Sequence, residues 1–115
     1  MLPKKQRTPK ATFEMVLKEG RPFFSPYLTL KLIKKTSEIN QKSRFSFVVP
    51  KAVAKKAVDR NFLRRRGYAA ISANRSGINN GFLCILFLKK EALKLEYADF
   101  KQEVENLLKK AKILN

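Results

Sequence analysis

Hydrophobic and polar positions change period several times along the chain, and each change predicts an element. Phe13, Val16 and Leu17 recur at helical spacing after Thr12 and before Gly20, so Thr12 is the expected N-cap of a short first helix and Gly20 its terminator. Residues 21–26 hold two prolines and read as a connection. Residues 27–34 alternate, with Leu28, Leu30 and Leu32 on one face and Thr29 and Lys31 on the other, the period of a half-buried strand. Residues 44–50 repeat the pattern with Phe45, Phe47 and Val49. The polar stretch 35–43 is the expected loop joining two antiparallel strands.

Residues 51–72 read as an extended lead-in followed by a helix. On a helical wheel Val58, Phe62, Leu63, Ala69 and Ala70 share one side, while Arg60, Asn61, Arg64, Arg65 and Tyr68 occupy the other. Asp59 and Arg66 interrupt the apolar side, and Gly67 costs about 1 kcal/mol relative to alanine. Residues 74–81 are rich in Asn, Ser and Gly and form a loop. The run Phe82–Leu88 is apolar throughout, as a central strand covered on both faces would be. A last helix from near Ala98 places Phe100, Val104, Leu107, Leu108 and Ala111 on one stripe.

The expected fold is therefore α+β: a single two-layer sandwich with helices packed on a small mixed sheet. Its order is helix, two or three strands, helix, strand, helix. Residues 1–11 are expected to be a basic flexible arm, and residues 12–115 one domain. The 115 residues, 44% of them hydrophobic, suit one core.

Charge changes the picture most. The net charge is +17, and residues 1–75 hold 19 basic and 4 acidic groups against 7 and 5 in residues 76–115. The densest stretch, 51–75, has 8 basic residues and one acid, Asp59. Like charges gathered in one region oppose compaction, so a polyanion is the expected partner, and nucleic acid is the strongest candidate because Lys and Arg displace its condensed counterions. An anionic membrane surface fits less well, since the side opposite the arginines is mostly alanine and is needed for the core. No apolar run approaches the ~20 residues that span a bilayer, and the basic start lacks the apolar stretch of a secretory signal. A cytoplasmic domain is expected.

Hydrolysis by the polypeptide alone is not expected. The chain has no histidine, its only aspartates are Asp59 and Asp99, and Glu103 and Glu105 stand two apart on a helix and do not face each other. Cys84, within the apolar strand and without a histidine to activate it, reads as buried filler. The informative segment is Arg60-Asn61-Phe62-Leu63-Arg64-Arg65-Arg66. Arginines four and five residues apart on one helical side offer planar forked donors suited to bidentate phosphate contact, and the Asn61 amide adds a donor and an acceptor. Lys51, Lys55 and Lys56 extend the same positive surface.

At these residues the sequence resembles the bacterial ribonuclease P protein subunit family. RFSFVVPKAVAKKAVDRNFLRRR is similar to that family's signature, a strand, a basic stretch and an Arg-Asn-Arg-x-Lys/Arg-Arg helix. TFEMVLKEGRPF resembles its opening helix and turn, and FLCILFL followed by KKEALKLEYADFKQEVENLLKKA its closing strand and helix. Arg60, Asn61, Arg64 and Arg65 match the motif, whereas Phe62 and Tyr68 stand where the family has arginines.

The resemblance implies a helix that links two parallel strands by a left-handed crossover, carries the motif and faces a catalytic RNA. It assigns Arg60, Asn61, Arg64, Arg65 and Tyr68, with Lys55 and Lys56, to that RNA. It also implies a separate cleft, between the first helix and the sheet, for the single-stranded 5′ leader of precursor tRNA, with Phe13, Leu17, Lys31 and Lys51 as its residues and Thr29 beside Lys31. On spacing alone Phe13 fits core and cleft equally. Hydrolysis belongs to the RNA subunit, with Mg2+ that the RNA and substrate use, no metal held by the protein alone and no obligatory protein partner. A ribosomal or RNA-assembly protein of similar fold and a stand-alone nuclease are the rival readings.

Overall fold

A computed structural model describes residues 10–34 and 43–114, with side chains from residue 13 onward. The elements are helix α1 (Lys10–Glu19), strands β1 (Arg21–Phe24), β2 (Leu28–Lys34) and β3 (Arg44–Val48), helix α2 (Ala57–Ala73), strand β4 (Phe82–Leu88) and helix α3 (Tyr97–Lys110), with short 3-10 turns at Arg75–Gly77 and Lys90–Lys94. The α+β class, the mixed sheet and the order of the elements follow the sequence reading. Most of the expected arm and of the 35–43 loop lies outside the described residues.

The sheet order is β1-β2-β4-β3. β2 runs antiparallel to both β1 and β4, and β3 runs parallel to β4. β2 and β3 are therefore not hydrogen-bonded neighbours: β4, supplied after α2, inserts between them. Its interior position and covered faces explain why Phe82–Leu88 carries no polar residue. Alternation divides the side chains into two layers. Leu28, Leu30, Leu32, Phe45, Phe47, Cys84, Leu86 and Leu88 meet α2 and α3 in the main core, together with Phe100, Val104, Leu107 and Leu108. On the other face Leu83 and Ile85 pack with Val16 of α1.

Three local readings change. α1 starts at Lys10, so Thr12 lies inside the helix and does not cap it; Lys10 and Ala11 are good helix formers that extend it past the first apolar position. Arg21–Phe24 is a strand in what the prolines marked as a connection, because Pro22 lies on an edge strand, where a missing N–H is tolerated. On α2 the buried positions are Leu63, Gly67, Ala70 and Ile71, whereas Val58 and Phe62 are 65% and 55% exposed. The helix is rotated from the wheel's apolar side because Gly67 lets it approach β3 closely. A Cβ there would lie 2.5 Å from Cδ1 of Phe47.

Buried polar groups are bonded. Ser43, 3% exposed, donates to the Asn79 carbonyl at 2.6 Å and accepts the Phe82 N–H at 2.9 Å, which fixes the start of β3 beside that of β4. Gly81, with φ 89°, makes the turn into β4 in a region that only glycine enters without strain. Cys84 is fully buried, and burial pushes its thiol far above the ordinary range. It is expected to resist an alkylating reagent in the native protein and to label only as the chain unfolds; rapid labelling under native conditions would contradict the packing. No described helix is long and apolar enough to cross a membrane.

Candidate nucleic-acid interface

The cationic surface is built along α2 and its lead-in. Lys51, Lys55 and Lys56 are exposed before the helix, and Arg65 and Asn61 are exposed on it. Lys56 is the N-cap residue and forms no side-chain cap, so the positive end of the helix dipole adds to the lysines around it. Arg64, half-buried, donates from Nη2 to Oδ1 of Asn61 one turn back, which holds the guanidinium in place before any ligand arrives. Such preorganisation reduces the side-chain entropy lost on contact with phosphate.

Other residues of the segment hold the framework. Arg60 Nη1 donates to the carbonyls of Ala54 at 3.0 Å and Lys55 at 2.6 Å, tying the lead-in to the first turn of α2 and thereby positioning Lys55 and Lys56. Tyr68 is half-buried: its ring meets Phe47 edge-on at 5.4 Å, and its hydroxyl accepts the Phe47 N–H at 3.4 Å. Since β3 is an edge strand, this hydroxyl serves a backbone donor at the sheet margin. The structure therefore places Tyr68 in the α2–β3 packing and not on the outer face with Arg65.

Arg66 is engaged within the protein. Its guanidinium lies over the rings of Phe62, Tyr97 and Phe100 at 5.7, 5.8 and 5.6 Å and donates to the Leu95 carbonyl at 3.2 Å. It fastens α2 to α3. The spacing of Phe62 and Arg66 was visible in the sequence, but the approach of Tyr97, Phe100 and Leu95 was not. Phe62 is consequently a surface aromatic on the motif helix, a feature that the wheel had assigned to the core.

The second surface lies on the face covered by α1. α1 packs on β2 and β4, while Arg44, Ser46 and Val48 of β3 on that face remain half-buried. Phe13 and Leu17 are half-buried at the margin of the small cluster formed by Val16, Leu83 and Ile85, together with Val48 and Phe87. The structure brings Leu17 and Lys31 together and leaves Phe13 one turn earlier on α1, in the same cluster as Leu17. Lys31 is engaged, donating from Nζ to the Leu17 carbonyl at 3.1 Å, and so caps the end of α1 against β2. Thr29 lies two residues along the same face, opposite Phe87. Lys51 is exposed in the turn that follows β3.

Asp59 is the one acidic residue of α2, and Glu105 lies on α3. Glu105 accepts the Asn74 amide at 2.8 Å and pairs with Lys101 at 3.8 Å, so it links α3 to the end of α2. Among the described residues no three of His, Cys, Asp and Glu come together as a group that could hold a metal ion.

A small α+β domain with one cationic helix and an aromatic-lined sheet face has the form of a nucleic-acid-binding accessory protein. The family model described as Ribonuclease P matches residues 2–112. The ribonuclease P protein component of Synechococcus elongatus is 35% identical over 105 residues, covering 90% of this chain and 86% of that one. That of a Pseudanabaena species is 29% identical over 116 residues, covering 100% and 98%. Among solved structures, the Staphylococcus aureus RNase P protein superposes with a TM-score of 0.83 at 21% identity, covering 98% of this chain and 100% of that one. The Thermotoga maritima RNase P protein gives 0.79 at 24% identity, covering 90% and 96%. The chain belongs to the ribonuclease P protein family.

Proposed function

We propose that the chain acts as the accessory subunit of ribonuclease P by holding two RNA strands at once. The outer side of α2, with Arg64, Arg65, Lys55 and Lys56, takes the phosphates of the catalytic RNA. The half-buried face beside α1, with Phe13 and Leu17, takes the single-stranded leader of precursor tRNA, where aromatic and apolar platforms bind bases with little sequence reading. The RNA subunit cleaves the leader from the mature 5′ end, with Mg2+ that the RNA and substrate would hold. The described residues of this chain bring no cluster of His, Cys, Asp or Glu suited to the ion. The observation that carries the reading is the cationic outer side of α2, with Asn61 and Arg65 exposed and Arg64 held by Asn61, in a chain of this family.

The decisive experiment mixes the protein with a bacterial ribonuclease P RNA and precursor tRNA at low Mg2+. Faster release of the leader is expected, and absence of stimulation at every protein concentration would reject the proposal. Cleavage without any RNA subunit would instead identify a nuclease.

Phe62 gives a narrower prediction. Because its ring is exposed and is one of three that meet Arg66, F62A is expected to lower stability by no more than about 1 kcal/mol. If the ring stacks on a base of the catalytic RNA, affinity falls about fivefold or more while the salt dependence of binding stays unchanged, since no charge is removed. Filter binding at several salt concentrations separates this result from an electrostatic one.

A further inference from the structure

The opposite end of the sheet carries a pocket that neither RNA surface uses. It measures about 360 Å³ and is lined by Arg21, Phe23, Leu32, Lys34, Phe82 and Lys112 among others, whereas a groove of about 450 Å³ beside α2 includes Asp59 and the engaged Arg66. Strand register explains the gathering. Arg21 stands opposite Leu32 and Lys34 opposite Phe82, so all four side chains share the face on which α3 ends. The floor is apolar and the rim holds three cations. No carboxylate lines the pocket among the described residues. Its size falls within the range of small-molecule sites, about 300–1,000 Å³.

A second observation concerns Lys112. The end of α3 is a Schellman motif: the Ile113 N–H bonds to the Leu108 carbonyl at 2.9 Å and the Lys112 N–H to that of Lys109 at 3.0 Å. Lys112 occupies the left-handed position, with φ 62°, where glycine is the usual residue and a side chain is strained. The strained residue is thus one of the three cations at the pocket. Several carbonyls at this end of α3 are occupied: besides those of Leu108 and Lys109, the Lys112 carbonyl accepts from Asn79 Nδ2 at 3.2 Å.

We propose that this pocket binds a nucleoside monophosphate unit, the cationic rim taking the phosphate and the floor of Phe23, Leu32 and Phe82 taking the base. Arg21 and Lys34, both exposed, lie over the faces of Phe23 and Phe82 at 5.3 and 5.8 Å, so they cover the apolar floor and move from the rings to the phosphate as the base takes their place. The unit is either a free nucleotide or one residue of an RNA strand.

The test is an NMR titration of the labelled full chain with AMP, with adenosine and inorganic phosphate as controls. It needs neither the catalytic RNA nor precursor tRNA, so its failure is separate from any failure of the proposed function. AMP is expected to shift the amides of Arg21, Phe23, Lys34 and Ile113 and to bind more tightly than either control. K112G is expected to raise Tm, because the strain is relieved, and yet to weaken AMP about threefold to fivefold; K34Q should weaken it similarly with Tm unchanged. Oligoadenylate binding more tightly than AMP at these amides would assign the site to a strand, and equal affinity to a free nucleotide. Shifts confined to α2 and the α1 face, or a K112G protein that binds AMP as well as the parent, would overturn the proposal.

Discussion

Replacing Gly67 by alanine is expected to lower the stability of the fold by about 2 kcal/mol, although the same change in an ordinary helix raises it. Alanine gains about 1 kcal/mol over glycine in a helix interior. Here the new methyl would sit 2.5, 2.6 and 2.7 Å from three atoms of the Phe47 ring. That ring is 3% exposed and held edge-on by Tyr68, so it has no room to retreat. Overpacking of this kind costs about 3 kcal/mol at the upper end of its usual range, which exceeds the helix gain. Thermal denaturation should show Tm falling by about 10 °C. F47L, which shortens the opposing side chain, should recover part of the loss in the double variant; a G67A protein as stable as the parent would show that α2 does not approach β3 so closely.

Removing Arg64 and Arg65 together is expected to separate binding from folding. Arg65 is exposed and the described hydrogen bond of Arg64 is made to its neighbour Asn61, so R64A/R65A should unfold at nearly the parent temperature. Affinity for the ribonuclease P RNA should drop on the order of thirtyfold. The slope of log affinity against log salt should become shallower by about 1.5, as for two lost phosphate contacts. R66A should behave in the opposite way. Its guanidinium joins three rings and the Leu95 carbonyl, so its removal lowers stability by about 1–2 kcal/mol and leaves the salt slope nearly unchanged. Global unfolding of R64A/R65A, seen by circular dichroism, would mean that these side chains are structural.

The contrast between Arg65 and Arg66 shows how far the site could be read in advance. The motif named the helix and its charge, and Arg64, Arg65, Lys55 and Lys56 stand on its surface as spacing implied. It could not tell a phosphate ligand from a fastener, because Tyr97, Phe100 and Leu95 come from 29 or more positions along the chain. Tyr68 was assigned outward by the wheel and turned inward by the missing Cβ at Gly67, which draws α2 onto Phe47. Arg60 lies where the motif expects it, yet two carbonyls of the lead-in hold it.

By itself the sequence determined the main core stripes, the α+β class, the apolar interior strand and the concentration of positive charge before and along α2. Each of these follows from local periodicity or composition, which act over a few residues and leave a direct trace in the pattern. Only the tertiary structure decided that β4 inserts between β2 and β3, that Arg21–Phe24 pairs as an edge strand and that Phe62 faces outward. It also decided that three cations from β1, β2 and the end of α3 share one pocket. Those outcomes depend on which distant segments meet, and long-range pairing is settled by packing of the whole core and not by the period of any single segment.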